Sequence, residues 1–329
     1  MILISTGCRD NSIGENPKLT TLKETRLGSS IAFSGGVVTT YNDELITSRG
    51  VCWSNTTIPT VSDSKTVDGS GPGYFESTLQ GLTPNTTYFL RMYAILNGKK
   101  HYGDVVSFKT NDVVADIDGN IYNTVTIGKQ VWTVENLTTT RYQNGDLIQT
   151  TIPAKLDIKY ESNPKYQWAY DGDVRKVKLY GRLYTWYVAV DPRGICPFGW
   201  HVPSDAEWTI LENYLIENRY NYDKLTQYNE VAISLASSFG WEFSKDKGAP
   251  GNNDYAESAN KTGFTALPGG YRDYDGNFMN FGRDGSWWSS SEESNYQAYY
   301  RYIHFNRSDL TRSSNIEFCG ASIRCIKDY

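Results

Sequence analysis

The sequence predicts two folded domains: an all-β sandwich, and after it an α+β domain. The length of 329 residues suggests more than one domain. Residues 19–111 carry short segments of alternating hydrophobicity, separated by Gly, Pro, Asn and Asp, which is typical of antiparallel strands. Residues 112–329 follow a different pattern, which includes a well-marked helix start at Ser204. We therefore expect the boundary between the two domains near residue 111.

The composition excludes some classes of function. The net charge is −5, and no cluster of Lys and Arg stands out, so we do not expect a nucleic-acid-binding protein. No apolar run is long enough to span a bilayer. Aromatic residues make up 14% of the chain. Such a surplus fits either a binding surface or the cross-strand pairs of a β-rich fold.

The first 18 residues predict an anchor and a tether. Residues 1–8 read Met-Ile-Leu-Ile-Ser-Thr-Gly-Cys, which resembles the end of a bacterial lipoprotein signal. That resemblance implies cleavage before Cys8, attachment of a lipid to its sulfur, and a location at the outer membrane or cell surface. The polar residues up to Lys18 suit a tether between lipid and domain. The alternative is an ordinary N-terminus with a free thiol.

The cysteine pattern gives no sign of a metal or a cofactor. Five cysteines are present, and none forms a C-x-x-C pair, so a zinc site is not expected. Cys52 lies in a segment that reads as a central strand of the first domain, and we expect a buried free thiol there.

The first domain contains a recognisable strand motif. Residues 81–94 read Gly-Leu-Thr-Pro-Asn-Thr-Thr-Tyr-Phe-Leu-Arg-Met-Tyr-Ala, which resembles the sixth strand of a fibronectin type III domain and the turn before it. The resemblance covers residues 19–111. It implies that Tyr88 forms a tyrosine corner, in which its hydroxyl reaches back to upstream backbone. No catalytic constellation appears in this domain.

The second domain opens with a predicted hairpin at Asp116-Ile-Asp-Gly-Asn120, and a similar string returns at Asp273-Tyr-Asp-Gly-Asn277. A calcium loop of the EF-hand type needs a further oxygen ligand before the glycine and a later glutamate, which both strings lack. We therefore expect turns at both places. Residues 179–190 could form a helix or a strand, and we expect a helix. A second helix is expected within residues 228–239, where Gly240 is the stop signal.

The segment from Gly194 to Tyr214 carries the strongest local signals. Ser204 and Glu207 have the spacing of a capping box, in which each residue satisfies the backbone N–H of the other. Trp208, Leu211 and Leu215 recur at spacings of three and four, so one face of the predicted helix is apolar. This segment reads as scaffold, with Trp208 in the core.

The second domain carries an ordered set of motifs: Asp118-Gly-Asn-Ile-Tyr122, Gln130-Val-Trp132, Glu135-Asn-Leu137, Cys196-Pro197, Gly199-Trp-His-Val-Pro-Ser204, Glu207-Trp208, Ala266-Leu-Pro-Gly-Gly270, Trp287-Trp-Ser-Ser290 and Ser322-Ile-Arg-Cys325. Together they resemble the Fibrobacter succinogenes major paralogous domain, which is common in lipoproteins of Bacteroidetes. The resemblance implies a C-type lectin-like fold, shared with formylglycine-generating enzymes. It also implies a disulfide between Cys196 and Cys325, with Cys319–Cys325 as the local alternative.

The resemblance does not carry a metal site or an activity with it. Formylglycine-generating enzymes bind copper through a cysteine pair on a late strand, and residues 299–306 contain no cysteine. Sugar-binding C-type lectins hold calcium with a Trp-Asn-Asp triplet, where this chain reads Trp287-Trp288-Ser289-Ser290. A fold alone does not decide function.

We expect a surface-anchored, non-catalytic protein that binds a glycan or a protein through loops of the lectin-like domain. Aromatic side chains can stack on sugar faces, while carboxylates and guanidinium groups pair with hydroxyls. The expected ligand contacts are Trp241, Arg272, Asp273, Asp275 and Trp288. For Trp287 and Trp288, the alternative is that one lies in the core and the other covers it. A structural or adhesin subunit is the second hypothesis, and an enzyme of the same fold is the third.

Overall fold

A computed structural model describes residues 17–40 and 45–329, so the predicted lipidation site Cys8 lies outside the described residues. The chain divides into two compact units, one ending at Thr110 and the other running from Asn111 to Tyr329. Most regular structure is β-strand. In the described ranges, no helix has the length and apolar character that crossing a membrane requires.

The first unit is a sandwich of antiparallel strands. One sheet has the order β1-β2-β5; the other has the order β4-β3-β6-β7, with β8 also paired to β6. Residues from both sheets, among them Ala32, Leu79, Val51 and Leu90, are buried in one core. The strands are β1 Lys18–Leu27, β2 Ile31–Thr39, β3 Ile46–Ser54, β4 Ser64–Lys65, β5 Gly73–Gln80, β6 Thr87–Leu96, β7 Lys99–Tyr102 and β8 Val106–Lys109.

Two predictions for the first unit are confirmed. The Tyr88 hydroxyl accepts a hydrogen bond of 3.0 Å from the backbone N–H of Thr83, which is the expected tyrosine corner. Cys52 is a buried free thiol, and burial raises its pKa to about 11. A thiol with so high a pKa stays protonated at neutral pH, so Cys52 acts as a small core residue.

The second unit combines small sheets with short helices. Its strands are β9 Val113–Ala115, β10 Ile121–Ile127, β11 Gln130–Thr133, β12 Gln167–Trp168, β13 Leu183–Tyr184, β14 Trp200–His201, β15 Tyr271–Arg272, β16 Phe278–Met279, β17 Asp284–Ser294, β18 Gln297–His304, β19 Thr311–Ile316 and β20 Ile326–Lys327. Its α-helices are α1 Val177–Tyr180, α2 Trp186–Ala189, α3 Asp205–Glu217 and α4 Ala232–Leu235, and its 3-10 helices are Tyr170–Gly172, Val174–Lys176 and Asn253–Ser258. The sheet order is β14-β20-β11-β10-β9 in one sheet and β17-β18-β19 in another.

The two Asp-Gly strings form turns, as predicted. In the first, the Asp116 carboxylate accepts the backbone N–H groups of Asp118 and Asn120 at 2.9 and 3.0 Å, between β9 and β10. In the second, between β15 and β16, the Gly276 N–H donates to the Asp273 carbonyl at 3.1 Å. In each string one Asp carboxylate, that of Asp116 in the first and that of Asp273 in the second, accepts a nearby backbone N–H, which is a usual role of Asp in a turn.

The predicted capped helix is confirmed as α3. Ser204 accepts the Glu207 N–H at 3.3 Å, and the Glu207 carboxylate accepts the Ser204 N–H at 2.8 Å. Trp208, Leu211 and Leu215 are fully buried on one face of this helix. The Trp208 ring lies 4.7 Å from the Trp132 ring, so α3 is fixed to β11 through aromatic packing.

The disulfide joins Cys196 and Cys325, whose Cα atoms are 5.9 Å apart. The alternative pair Cys319–Cys325 is wrong, because Cys319 is a free, buried thiol. The bridge lies one residue before β20, which pairs with both β14 and β11. Strands from the start and the end of the unit are therefore held side by side.

Residues 179–190 do not form the expected single helix, and the helix predicted within residues 228–239 is present but short. Residues 179–190 contain the end of α1, the strand β13 and the four-residue helix α2. Within residues 228–239 only α4 is helical, and Phe239, expected on its apolar face, is 52% exposed. The physical reason is a competing partner: the Ser237 N–H donates to the Ala266 carbonyl at 2.8 Å instead of continuing the helix.

Candidate functional site

The sheet β17-β18-β19 is attached to the rest of the unit by one of its faces. Trp287 and Ile303 on this face are fully buried and share a core with Trp208 of α3. Arg301, which lies directly opposite Trp287 in the adjacent strand, is fully buried and donates to the Asp205 carboxylate at 2.6 Å. Because side chains alternate between the faces of a strand, the intervening residues point to the other side.

The other face of the sheet lines an open cavity of about 570 Å³. Three cross-strand pairs of β17 and β18 lie directly opposite each other here: Asp284 with His304, Ser286 with Tyr302, and Trp288 with Tyr300. The remaining lining residues come from β15, β19 and nearby loops: Tyr271, Arg307, Ser314, Asn315, Gly320 and Ala321. The cavity is thus built on a rigid sheet and bordered by loops.

Aromatic side chains form one wall of the cavity. The Tyr300 and Tyr302 rings are stacked at 5.5 Å with an interplanar angle of 20°. Trp288 lies against Tyr300, with ring centroids 6.0 Å apart, and its indole N–H donates to the Tyr184 carbonyl at 2.8 Å. Trp288 is completely buried while both tyrosines are half-buried, so the tyrosines supply the accessible surface and Trp288 supports them.

A hydrogen-bonded pair of titratable residues lies beside the tyrosines. The Nδ1 atom of His304 contacts one carboxylate oxygen of Asp284, and the Asn280 amide donates to the other oxygen at 2.7 Å. An ionised carboxylate only accepts hydrogen bonds, so Nδ1 carries the proton that Asp284 accepts. The His304 ring is therefore held in one orientation, and Nε2 is its remaining polar atom.

The other ionisable groups of the lining are paired or remain neutral. Arg307 donates to both carboxylate oxygens of Asp309, at 2.9 and 3.2 Å. Although burial opposes the change, hydrogen bonds from Arg307 and Thr311 lower the pKa of Asp309. Burial raises the pKa of Tyr300 well above its ordinary value, and it also raises the pKa of Tyr271. Both tyrosine hydroxyls therefore stay protonated at neutral pH.

Two of the five predicted contact residues are too buried to touch a ligand in this structure. Trp288 has no exposed surface and lies beneath Tyr300, which corrects the expectation that it stacks on a ligand. Arg272 is also fully buried, and burial lowers its pKa. Its guanidinium lies 4.1 Å from the Trp168 ring and donates to the carbonyl oxygens of Ala154 and Leu156. Arg272 therefore holds a loop in place.

The other three predicted residues do not line the cavity. Asp273 is half-buried, and its carboxylate accepts from the Cys319 thiol at 3.8 Å and from the Tyr274 N–H at 2.7 Å. Asp275 is exposed in the same turn. Trp241 is half-buried against the core that contains Trp208, and among the described residues its indole N–H has no hydrogen-bond partner. The structure does not bring the five residues together into one site.

Sequence reasoning missed Tyr300, Tyr302 and His304. The signal was present in β18, where residues 298–305 read Ala-Tyr-Tyr-Arg-Tyr-Ile-His-Phe. Every second residue from Tyr300 to His304 is a polar aromatic, whereas the residues between them are Arg301 and Ile303. Alternation of this kind predicts one face that packs and one face that meets a ligand or solvent.

Within residues 17–40 and 45–329, no group of three or more His, Cys, Asp and Glu side chains is placed to hold a metal ion. The cavity contributes only His304 and Asp284 of these types. What the arrangement offers is a stacked aromatic wall, several hydroxyl groups and one oriented imidazole.

Three solved structures that resemble this chain each cover about a third of it or less. The sensor domain of an anti-sigma factor from Pseudobacteroides cellulosolvens is 18% identical, covers 29% of this chain and 75% of its own, and has a TM-score of 0.23. A fibronectin type III domain of a human protein is 17% identical, covers 32% of this chain and 80% of its own, and has a TM-score of 0.23. The sixth fibronectin type III domain of another human protein is 22% identical, covers 31% of this chain and 92% of its own, and has a TM-score of 0.24. The fold of the first unit rests on its own strand order and the Tyr88 hydrogen bond.

No curated protein matches the chain. The sequence profile of the Fibrobacter succinogenes major domain matches residues 125–327, which is more than half of the 329 residues and includes α3, both cysteines of the disulfide and the cavity-lining strands. The chain therefore belongs to the Fibrobacter succinogenes major domain family.

Proposed function

We propose that this protein is a non-catalytic binding protein of the cell surface, and that its second unit holds a glycan in the cavity on the sheet β17-β18-β19. The observation that carries the proposal is the stacked pair Tyr300 and Tyr302, set beside the oriented imidazole of His304. A tyrosine face can pack on the apolar face of a sugar ring, while its hydroxyl remains available for hydrogen bonding.

The size and chemistry of the cavity suit this role. Its volume of about 570 Å³ lies in the range of about 300–1,000 Å³ that is usual for small-ligand sites. The side chains of Ser286, Tyr271 and Asn315 add hydroxyl and amide groups to the lining. A sugar presents many hydroxyl groups and one or two apolar faces, and this lining offers partners for both.

We infer that the second unit has a C-type lectin-like fold. Two features support this. Strand β20 near the C-terminus pairs with β11 near the start of the unit, so that Ile326 lies opposite Trp132. The disulfide Cys196–Cys325 ties the segment before α3 to the segment before β20. This disulfide is the one that the family resemblance led us to expect.

We also propose that Cys8 carries a lipid and places the protein at the outer membrane or cell surface. The support is the signal-like sequence of residues 1–8 and the polar stretch that follows it. The test compares detergent-phase partitioning of the full chain with that of Cys8→Ser, both expressed in a bacterium that processes lipoproteins. Wild type is expected in the detergent phase and the variant in the aqueous phase; equal partitioning would contradict the anchor.

A glycan array tests the main proposal. The full chain is expected to bind a defined set of glycans, and Tyr302→Ala is expected to lose at least tenfold in affinity through the lost packing surface. Tyr299→Ala is the matched control, because Tyr299 lies on the same strand and packs against Arg312 with its ring 3.9 Å from the guanidinium. A blank array, or equal losses in both variants, would contradict glycan binding in this cavity. Capture of a defined protein by the same full chain, together with a blank array, would favour the adhesin hypothesis.

A further inference from the structure

We infer that the cavity selects a neutral sugar over an acidic one, and that His304 binds a hydroxyl of that sugar through Nε2. This inference rests on the proposed function of the same cavity. It concerns the class of ligand and the residue that recognises it. Neither follows from family membership, and both come from the way in which the charges of the lining are paired.

The charged side chains of the lining are already hydrogen-bonded within the protein. Asp284 is a carboxylate whose two oxygens accept from His304 and Asn280. Arg307 is engaged by both oxygens of Asp309. The lining therefore offers no unpaired cation to a carboxylate of the ligand, and it does contain one carboxylate. An acidic sugar would lose hydration here and would have to compete with Asp309 for Arg307, which is unfavourable.

His304 is placed to make a specific contact. Its Nδ1 atom is committed to Asp284, and among the described residues Nε2 has no hydrogen-bond partner. The side chain is 21% exposed, so a ligand can reach it. In the neutral ring Nε2 is an acceptor, since Nδ1 carries the proton. A sugar hydroxyl can donate to it.

A ligand that packs on the aromatic wall lies close to Nε2 of His304. Tyr302 lies two residues before His304 on β18, so both side chains point into the cavity about 7 Å apart along the strand. A six-membered ring packed on Tyr302 therefore has hydroxyl groups within reach of the imidazole. The protonated hydroxyls of Tyr300 and Tyr271 can donate to oxygens of the same ligand, which suits an uncharged polyol.

The experiment measures the dissociation constants of the full chain for neutral oligosaccharides. It also measures them for oligosaccharides of the same length that carry a uronic acid or sialic acid. Wild type is expected to bind its best neutral member at least tenfold more tightly than the acidic counterpart. His304→Phe, which keeps a ring of similar size, is expected to weaken neutral binding about three- to tenfold, the value of one lost hydrogen bond. His304→Gln, which can place a polar atom near Nε2, is expected to retain more affinity than His304→Phe.

A second variant tests whether the carboxylate charge of Asp284 causes the preference for neutral ligands. Asp284→Asn has the same size as the wild-type residue, removes the carboxylate charge and is expected to narrow the preference for neutral over acidic ligands. Thermal unfolding of each variant checks that the fold is intact. Equal or tighter binding of acidic members by wild type overturns this inference and leaves the glycan-binding proposal standing. An unchanged affinity in His304→Phe overturns the role of His304. Absence of binding to every glycan overturns the proposed function and this inference together.

Discussion

At the scale of single residues, Arg324 shows how the second unit accommodates a buried charge. Its side chain has no exposed surface, and its guanidinium donates to the Asn136 side chain at 2.7 Å. It also donates to the carbonyl oxygens of Thr133, Phe264 and Thr265 at 3.0, 2.7 and 3.1 Å. Burial lowers the pKa of Arg324 to about 9, so the group is still charged at neutral pH. One planar cation thus joins two separate segments of backbone.

Replacing Arg324 with Met is expected to lower the free energy of unfolding by about 3 kcal/mol, because it leaves several buried carbonyl groups without a donor. Chemical denaturation of the full chain measures the change. Arg175→Met is the control: Arg175 is exposed and paired only with Asp173, so no measurable change in stability is expected. Equal losses in the two variants would contradict a structural role for Arg324.

His201 makes the stability of the second unit depend on pH. Its two ring nitrogens contact the carboxylates of Asp328 and Glu207, at 2.6 and 2.9 Å. Burial opposes protonation, but the hydrogen bonds to these carboxylates outweigh it and raise the pKa of His201. A raised pKa means that the folded state binds the proton more tightly than the unfolded state. The resulting stabilisation is complete below the unfolded pKa of about 6.5 and is lost as the pH rises through the folded value.

The stability difference between wild type and His201→Gln is therefore expected to shrink as the pH rises from about 6 to about 8. Urea unfolding of both proteins across this range measures it. The variant removes the titrating group while keeping a polar side chain, so the other titrating groups cancel in the difference. A difference that stays constant or grows with pH would show that His201 contributes no proton-linked stability.

At the scale of elements, α3 depends on its N-terminal cap. The reciprocal hydrogen bonds of Ser204 and Glu207 satisfy two backbone N–H groups at the start of the helix. The cap also fixes the position of Asp205, which forms ion pairs with Arg301 and Arg312 of the cavity-bearing sheet. The start of one helix therefore organises the packed side of that sheet.

Removing the cap with Ser204→Ala is expected to lower the free energy of unfolding by about 1 kcal/mol. The measurement is equilibrium denaturation of the full chain. Ser204→Thr keeps the hydroxyl group and is expected to remain within about 0.5 kcal/mol of wild type. If Thr costs as much as Ala, the hydroxyl is not what stabilises the helix.

The sequence predicted elements whose signals are local. The cap of α3, the two Asp-Gly turns and the Tyr88 corner each depend on residues within six positions of one another. The helix predicted over residues 179–190 failed because its backbone has non-local partners: the Tyr184 N–H donates to the carbonyl of Ala321. No local pattern contains that information.

The candidate site was predicted less well, and for a similar reason. Trp288 and Arg272 were singled out by residue type, but tertiary packing buries both of them completely. The cavity arises from the register of β17 against β18, which places Asp284 opposite His304. That register is decided by pairing between strands, so the chain sequence alone does not reveal it.

At the scale of the whole molecule, two units with separate cores share one chain. The core of the first unit lies between sandwich sheets, whereas the second unit has clusters around Trp288 and around Trp208. The disulfide Cys196–Cys325 spans 129 residues, which is most of the length of the second unit. A bridge of this span restricts the unfolded chain strongly.

Removal of the bridge in Cys196→Ala/Cys325→Ala is expected to lower the free energy of unfolding by about 4–5 kcal/mol, from the entropy of closing so long a loop. Denaturation with and without a phosphine reductant provides the control. Wild type should lose stability when reduced, while the double variant should not respond. If the reductant lowered the stability of both proteins equally, a group other than the Cys196–Cys325 disulfide would be responsible for the effect.

We propose above all that the cavity on the sheet β17-β18-β19 binds a glycan. A crystal structure of the full chain with its best array ligand tests this most directly. The predicted result is a sugar ring packed on Tyr302, with a hydroxyl within about 3 Å of Nε2 of His304. A structure in which the sugar is bound elsewhere, with this cavity free of ligand, would contradict the claim.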